Sequence, residues 1–290
     1  MNRARPRTLD ELLELRSRQP RWALVAGGTD LMVQVNYGGL RPDGVIDLSD
    51  VAGIDALTCG ADGVSIGAGV TFARLADDPR SSLAGLAVAA RAVASPQIRS
   101  VATVGGNIAT ASPAGDTHPV LAAAGAVVDL RSVDGVREVP YGEFFLGPGH
   151  SVLAPDEVVW RVRMPVSTDT SQHFSKIGTR NAMVISVASL GLVVDWRQRT
   201  VGVGLGSVGP RPLRAPAAEE FLATSLWPPS GDDVVPEPWA VAEFGRLVAS
   251  AATPIDDVRG TADYRRHTVR VMAQRTLTWA LQGRRKQETA

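Results

Sequence analysis

Two glycine-bearing segments hold the residue types from which chemistry could be built: Val25-Ala26-Gly27-Gly28-Thr29-Asp30-Leu31 and Thr103-Val104-Gly105-Gly106-Asn107. Each sets adjacent glycines beside small hydrogen-bonding side chains. Glycine reaches backbone conformations that a Cβ forbids, so successive N–H groups in such a segment can converge on an anion. Two of them on one chain could grip the two phosphates of a dinucleotide; either alone reads as well as a tight turn between strands. Thr29 adds a hydroxyl donor. Asp30 is awkward, because a carboxylate beside a phosphate repels it, and is expected to brace the loop or cap the next turn. Beyond the second segment, Ser112-Pro113 offers a fixed turn and Asp116 an acceptor suited to ribose or ribityl hydroxyls.

Two further motif matches read as ordinary structure. Gly204-Leu205-Gly206-Ser207-Val208-Gly209 spells G-x-G-x-x-G, but Pro210 and Pro212 forbid the helix that a dinucleotide fingerprint needs, so strand and turn are expected. Gly63-Val64-Ser65-Ile66-Gly67 spells G-x-S-x-G, yet Ser65 alternates with Val64 and Ile66 as a plain strand residue. The single cysteine, Cys59, excludes an internal disulfide and a four-thiolate metal or iron–sulfur site made from this chain alone. His118, His150, His173 and His267 show no ligand spacing and are expected at the surface or at helix ends. No metal site and no acid, base or nucleophile stands out as catalytic.

Lysine plus arginine (30) balances aspartate plus glutamate (30), so no basic face for nucleic acid is implied. Hydrophobic residues at 44% and charged residues at 21% describe an ordinary folded chain, and its length allows one large domain or two moderate ones. The basic start leads into a charged helix rather than an apolar signal region, and no run of about eighteen apolar residues occurs. A soluble, cytoplasmic protein is expected.

The elements that must position the two segments follow from capping and periodicity. Thr8 and Glu11 form a capping box ahead of a helix ending before Pro20. Residues 22–26 read as a buried strand feeding the first glycine pair, and residues 45–48 and 64–68 as further strands. Thr71 caps a short helix; residues 83–94 are helical until Ser95-Pro96 stops them. The second glycine segment reads as a loop, followed by a small helix after Pro119 and a strand at 127–131. In Val158–Met164, Val158, Trp160, Val162 and Met164 are expected on a covered face, with Val159, Arg161 and Arg163 on a wetter one. Residues 166–172 look like a linker, 184–196 and 201–208 like long strands, and 226–239 like an exposed loop. Helices are expected at 240–251 and 262–281, the last with Val269, Met272, Ala273, Thr276 and Ala280 on one stripe.

The first segment, residues 100–113 around the second, Phe174-Ser175-Lys176-Ile177-Gly178-Thr179-Arg180, Gly209-Pro210-Arg211-Pro212 and Asp256-Asp257-Val258-Arg259-Gly260 with Tyr264-Arg265-Arg266-His267 together resemble the FAD-binding medium subunits of molybdenum hydroxylases. Xanthine dehydrogenase and aerobic carbon monoxide dehydrogenase flavoproteins belong to that group. The resemblance implies an α+β fold: a two-lobed FAD-binding domain of the PCMH/vanillyl-alcohol-oxidase type (1–168, lobes near 1–56 and 57–168), then a small C-terminal α/β domain with an antiparallel sheet (172–286). It implies that Leu24, Val25, Ala26, Gly27, Gly28, Thr29, Asp30 and Leu31, with Thr103, Gly105, Gly106 and Asn107, hold the FAD pyrophosphate. Asp116 would bind flavin or ribityl groups, and Val159, with Val158, would approach the ring by backbone or apolar contact. Lys176 would lie beside the isoalloxazine, where positive charge favours reduced, anionic flavin; a solvated lysine at a domain edge is its plain alternative. Molybdopterin and two [2Fe–2S] clusters would reside on large and small partner subunits of a heterotrimer, which could itself dimerise. Asn36 departs from the lysine frequent in the family. A stand-alone FAD oxidoreductase and a non-catalytic flavin-binding module are the other readings.

Overall fold

The computed structural model describes residues 2–60, 63–165, 167, 169–228 and 236–288. The chain opens with β1 (Asn2–Ala4), α1 (Leu9–Arg18), β2 (Ala23–Val25), α2 (Leu31–Asn36) and β3 (Gly44–Asp47). The three strands form a parallel sheet in the order β1-β3-β2. Thr8 caps α1 by accepting the Glu11 N–H, while the Glu11 carboxylate accepts from Arg7 N–H at 2.8 Å, one residue before the cap. Leu12 and Leu13 are the buried apolar side of α1. By contrast, α2 buries none of its residues.

Next come β4 (Leu57–Gly60), β5 (Gly63–Gly67), α3 (Phe72–Ala76), a 3₁₀ turn, and α4 (Ala84–Ala92). Ser95-Pro96 ends α4 and also starts α5 (Pro96–Arg99), with Ser95 accepting the Ile98 N–H and proline at the first helical position. After α6 (Val104–Thr110) and α7 (His118–Ala123) the chain runs through β6 (Val127–Ser132), β7 (Gly135–Pro140), α8 (Tyr141–Phe144), β8 (Phe145–Gly147), β9 (His150–Ser151) and β10 (Val158–Met164). The antiparallel order β4-β5-β10-β6-β7 puts β10 in the middle of a five-stranded sheet. The expected alternation along β10 is broken: Val158, Val159, Val162 and Met164 are buried while Trp160 is only half-buried. A bulge between Val159 and Arg161 against β6 shifts the side-chain phase there.

The remaining strands, β11 (Thr170–Ile177), β12 (Ala188–Asp195), β13 (Thr200–Gly206) and β14 (Leu213–Arg214), pair consecutively in an antiparallel sheet. The expected linker is thus partly strand, since β11 takes Thr170, Ser171 and Gln172; residues 166 and 168 lie outside the described set. The expected strand over 184–196 shortens to β12. Three helices cover the sheet: α9 (Pro216–Leu226), α10 (Pro238–Ala251) and α11 (Ala262–Glu288). Leu226 and Trp239, read as loop ends, belong to α9 and α10, and residues 229–235 of that stretch lie outside the described set. Val269, Met272, Ala273, Thr276 and Ala280 all face inward from α11.

Two cores result, one under the five-stranded sheet and one between the last sheet and its helices. Helix α7 joins them by lying on β12 and β13. Its seat requires glycine: a Cβ on Gly202 would collide with Ala123 O, and one on Gly204 with Pro119 O. The G-x-G-x-x-G match is therefore strand and turn, with its first glycine a helix rest. The α+β class and antiparallel C-terminal sheet agree with expectation.

Candidate functional site

β2 delivers the first segment against Val101 and Ala102, the residues just before the second. A Cβ on Gly27 would collide with Val101 O and stand 2.9 Å from Ala102 N, so Gly27 lets two backbones touch. Gly28 has φ +67°, a left-handed turn that starts α2, and its carbonyl accepts the Met32 N–H at 3.0 Å. Among the described residues, the N–H groups of Gly27, Gly28, Thr29 and Asp30 have no hydrogen-bond partner. The Asp30 carboxylate accepts from Gln34 Nε2 at 2.6 Å and caps no backbone N–H. Asp30 is a brace.

The second segment departs from expectation. Rather than a loop, it is the first turn of α6, capped by Thr103, whose Oγ1 accepts the Gly106 N–H at 3.1 Å. Val104 N–H donates to Val70 O, Gly105 N–H to Ala68 O and Asn107 N–H to Thr103 O. The four donors from Val104 to Asn107 are committed, so the glycine pair itself has no N–H left to converge on an anion. Gly105 is present because Ala68 presses on it: a Cβ there would lie 2.8 Å from Ala68 Cα. Gly106 faces outward, with only Thr103 Oγ1 within reach of a Cβ, at 3.1 Å. What this turn offers a ligand is the Asn107 side chain. Its Oδ1 accepts from Thr117 Oγ1 at 2.9 Å, a link that no sequence spacing announces.

Asp116 and Lys176 form an ion pair at 2.7 Å, both nearly buried, and Lys176 Nζ also donates to Ala92 O at 3.2 Å. The lysine is therefore neither a lone positive charge nor a solvated one. Asp116 Oδ1 is buried without a donor. Burial pushes the Asp116 carboxyl up to about 6, against the opposing pull of the Lys176 charge. Lys176 lines a cleft of about 560 Å³ between the end of α4 and residues 174–184. Its lining includes Arg91, Arg99, Lys176 and Arg180 and no acidic residue. Val159 lies in the first core at the β10 bulge, its side chain occupied by packing. Leu24, Val25, Ala26, Thr29 and Leu31 are half-buried around the first glycine pair.

His118 stands at a helix end, as expected, but not at the surface. It opens α7 and is completely buried, with Nδ1 2.6 Å from Tyr141 Oη. Burial pushes it down to about 3, so the ring is neutral at ordinary pH. Among the described residues, no cluster of histidine, cysteine, aspartate and glutamate could hold a metal ion, and no helix is long and apolar enough to cross a membrane.

Comparison with known proteins matches residues 1–167 to the FAD binding domain in molybdopterin dehydrogenase, and residues 173–280 to the CO dehydrogenase flavoprotein C-terminal domain. The nicotine 6-hydroxylase medium subunit of Paenarthrobacter nicotinovorans is 30% identical over 96% of each chain. The nicotinate dehydrogenase FAD-subunit of Eubacterium barkeri is 34% identical over 75% of this chain and 77% of its own. A solved structure of carbon monoxide dehydrogenase from Hydrogenophaga pseudoflava, lacking the Mo-pyranopterin moiety, superposes with a TM-score of 0.86 at 28% identity over 97% of both chains.

Proposed function

The chain belongs to the FAD-binding subunits of the molybdopterin dehydrogenases, and from that premise we propose how its own residues hold the cofactor. It is the FAD-carrying subunit of an oxidoreductase complex, in which electrons reach their final acceptor by way of FAD. Molybdopterin and iron–sulfur clusters belong to its partners, in keeping with one cysteine here. Bound FAD supplies the redox chemistry, accepting electrons singly and releasing a pair.

The observation that carries the site assignment is the run of uncommitted N–H groups at Gly27, Gly28, Thr29 and Asp30, beside a left-handed Gly28. Such a run is an anion nest, and the pyrophosphate is its ligand. Leu24, Val25, Ala26 and Leu31 wall this nest. Thr103, Gly105 and Gly106 set the α6 turn against it, and Asn107 adds a side-chain amide. Asp116 Oδ1, buried and lacking a donor, fits a ribityl hydroxyl or a flavin N–H. Lys176 keeps Asp116 ionised and contributes charge to the cleft wall, while Val159 supports the sheet beneath. No residue here acts as acid, base or nucleophile; the chain positions the cofactor and sets its electrostatic surroundings.

The division into a FAD-binding domain at 1–168, with lobes near 1–56 and 57–168, and a C-terminal domain at 172–286 is part of the proposal. The separate cores support it. An iron–sulfur small subunit and a molybdenum-binding large subunit complete a heterotrimer; its dimerisation and a cytoplasmic location complete the reading.

Purification with the partner subunits tests it. A yellow complex whose flavin is reduced through the iron–sulfur subunit is expected. A colourless chain that rejects added FAD sinks the assignment. Bound FAD that takes no electrons from the partner would identify a non-catalytic module, and rapid reduction of the isolated chain by a small molecule a stand-alone oxidoreductase.

A further inference from the structure

Thr117 occupies the residue just before α7, a position where threonine ordinarily turns its hydroxyl onto the backbone of the coming helix. It makes no such bond. Its φ of −80° and ψ of −19° are already helical, and the wholly buried hydroxyl donates instead to Asn107 Oδ1 at 2.9 Å. The bond crosses from one helix to another, ten residues apart in sequence.

The consequence lies in the amide it reaches. An asparagine side chain can exchange its oxygen and its NH₂ by a half-turn with little change of shape, presenting an acceptor in one pose and donors in the other. A hydroxyl pointed at Oδ1 selects one pose. Asn107 Nδ2 then keeps both of its N–H donors, and among the described residues it has no partner. The neighbouring turn makes room for that amide: a Cβ on Gly115 would stand 3.1 Å from Nδ2 and collide with the His118 ring. His118 is itself fixed by Tyr141.

We propose that Thr117 is a positioning residue for cofactor binding, holding the Asn107 amide so that Nδ2, rather than Oδ1, is offered to the FAD pyrophosphate. The proposal rests on the flavin reading above. It also accounts for how the α6 turn contributes, given that the backbone donors of Val104, Gly105, Gly106 and Asn107 are committed within the fold. In the opposite pose Oδ1 would face a phosphate, acceptor against acceptor.

The test is a double-mutant cycle on FAD affinity, using the full chain stripped of flavin and titrated with FAD. Thr117→Val keeps the shape and removes the donor; it should weaken FAD binding about tenfold, the ordinary size of one hydrogen bond at a charged partner. Thr117→Ser should stay within about twofold of wild type. Asn107→Ala should weaken FAD at least as much as Thr117→Val, and adding Thr117→Val to it should change nothing further. Wild-type affinity in Thr117→Val overturns the role, as does an equal loss in the Asn107→Ala background, which would mark a general packing effect. Wild-type affinity in Asn107→Ala overturns it too, because Thr117 would have nothing to act through. A wild-type chain that takes up no FAD overturns the flavin reading and this role with it.

Discussion

In the first glycine segment the N–H groups of Gly27, Gly28, Thr29 and Asp30 are uncommitted, whereas in the second those of Val104, Gly105, Gly106 and Asn107 go to Val70, Ala68 and Thr103. Yet the two share a plan. In each pair the first glycine lets backbone press on backbone (Gly27 on Val101, Gly105 on Ala68), and the second is the open one, Gly28 through its left-handed turn and Gly106 through its outward face. The difference shows that a paired glycine in sequence marks a close approach, not a binding mode. One pair leads into a nest of donors; the other starts a helix and works through side chains, Asn107 and then Asp116.

The severest challenge to this comparison is at the packed glycines. Gly27→Ala and Gly105→Ala should each cost about 3 kcal/mol, the upper range for overpacking, because main chain and not a flexible side chain stands in the way. Denaturant midpoints measure this; near-wild-type stability in either would undo the common plan. The side-chain half of the second region is tested at the ion pair. Asp116→Asn should raise the potential of bound FAD and Lys176→Met should lower it, each by about 30 mV, or about 1.4 kcal/mol for a two-electron couple. Shifts of the same sign in redox titration would place the pair away from the ring.

Asp116 also predicts a pH dependence. Its folded carboxyl titrates at about 6, above the ordinary 3.8, so the folded chain holds a proton that the unfolded chain has released between those values. The stability it contributes is present below about pH 4 and lost as pH rises through about 6. Asp116→Asn should remove that falling component from the stability profile of the flavin-free chain; an unchanged slope would count against it.

Gly28→Ala should cost about 1 kcal/mol through its positive φ and weaken FAD as the nest distorts. Gly106→Ala should change stability by no more than about 0.5 kcal/mol, since alanine suits a helix and only Thr103 Oγ1 is near. Gly106→Val, by contrast, should lose FAD while staying folded, and retained flavin would show that Gly106 does not border the cofactor.

Much of this was legible in the residues. Thr8 and Thr71 announce their helices by capping chemistry, and the inward stripe of α11 follows from its spacing. The α6 helix was hidden because adjacent glycines disfavour helix; the Thr103 cap and the bonds to Ala68 and Val70 override that preference. Strand β11 was hidden because Thr170, Ser171 and Gln172 look like a linker until β12 supplies their partners. The bulge in β10 depends on a register with β6 that local alternation does not encode. For the site, the glycine segments stood out, but which donors were free did not. The partnership of Asp116 and Lys176 had no sequence sign either, because the two lie far apart along the chain.

The glycine rest under α7 has a bearing on how rigidly the two cores are coupled. Asp116 lies two residues before α7 begins, and Lys176 stands on the edge strand of the very sheet into which that helix is keyed. The gap between carboxylate and ammonium is thus set by how deeply α7 beds down, much as a shim sets the play in a joint. A methyl group at Gly204 would lift the helix and loosen an electrostatic contact that it never touches.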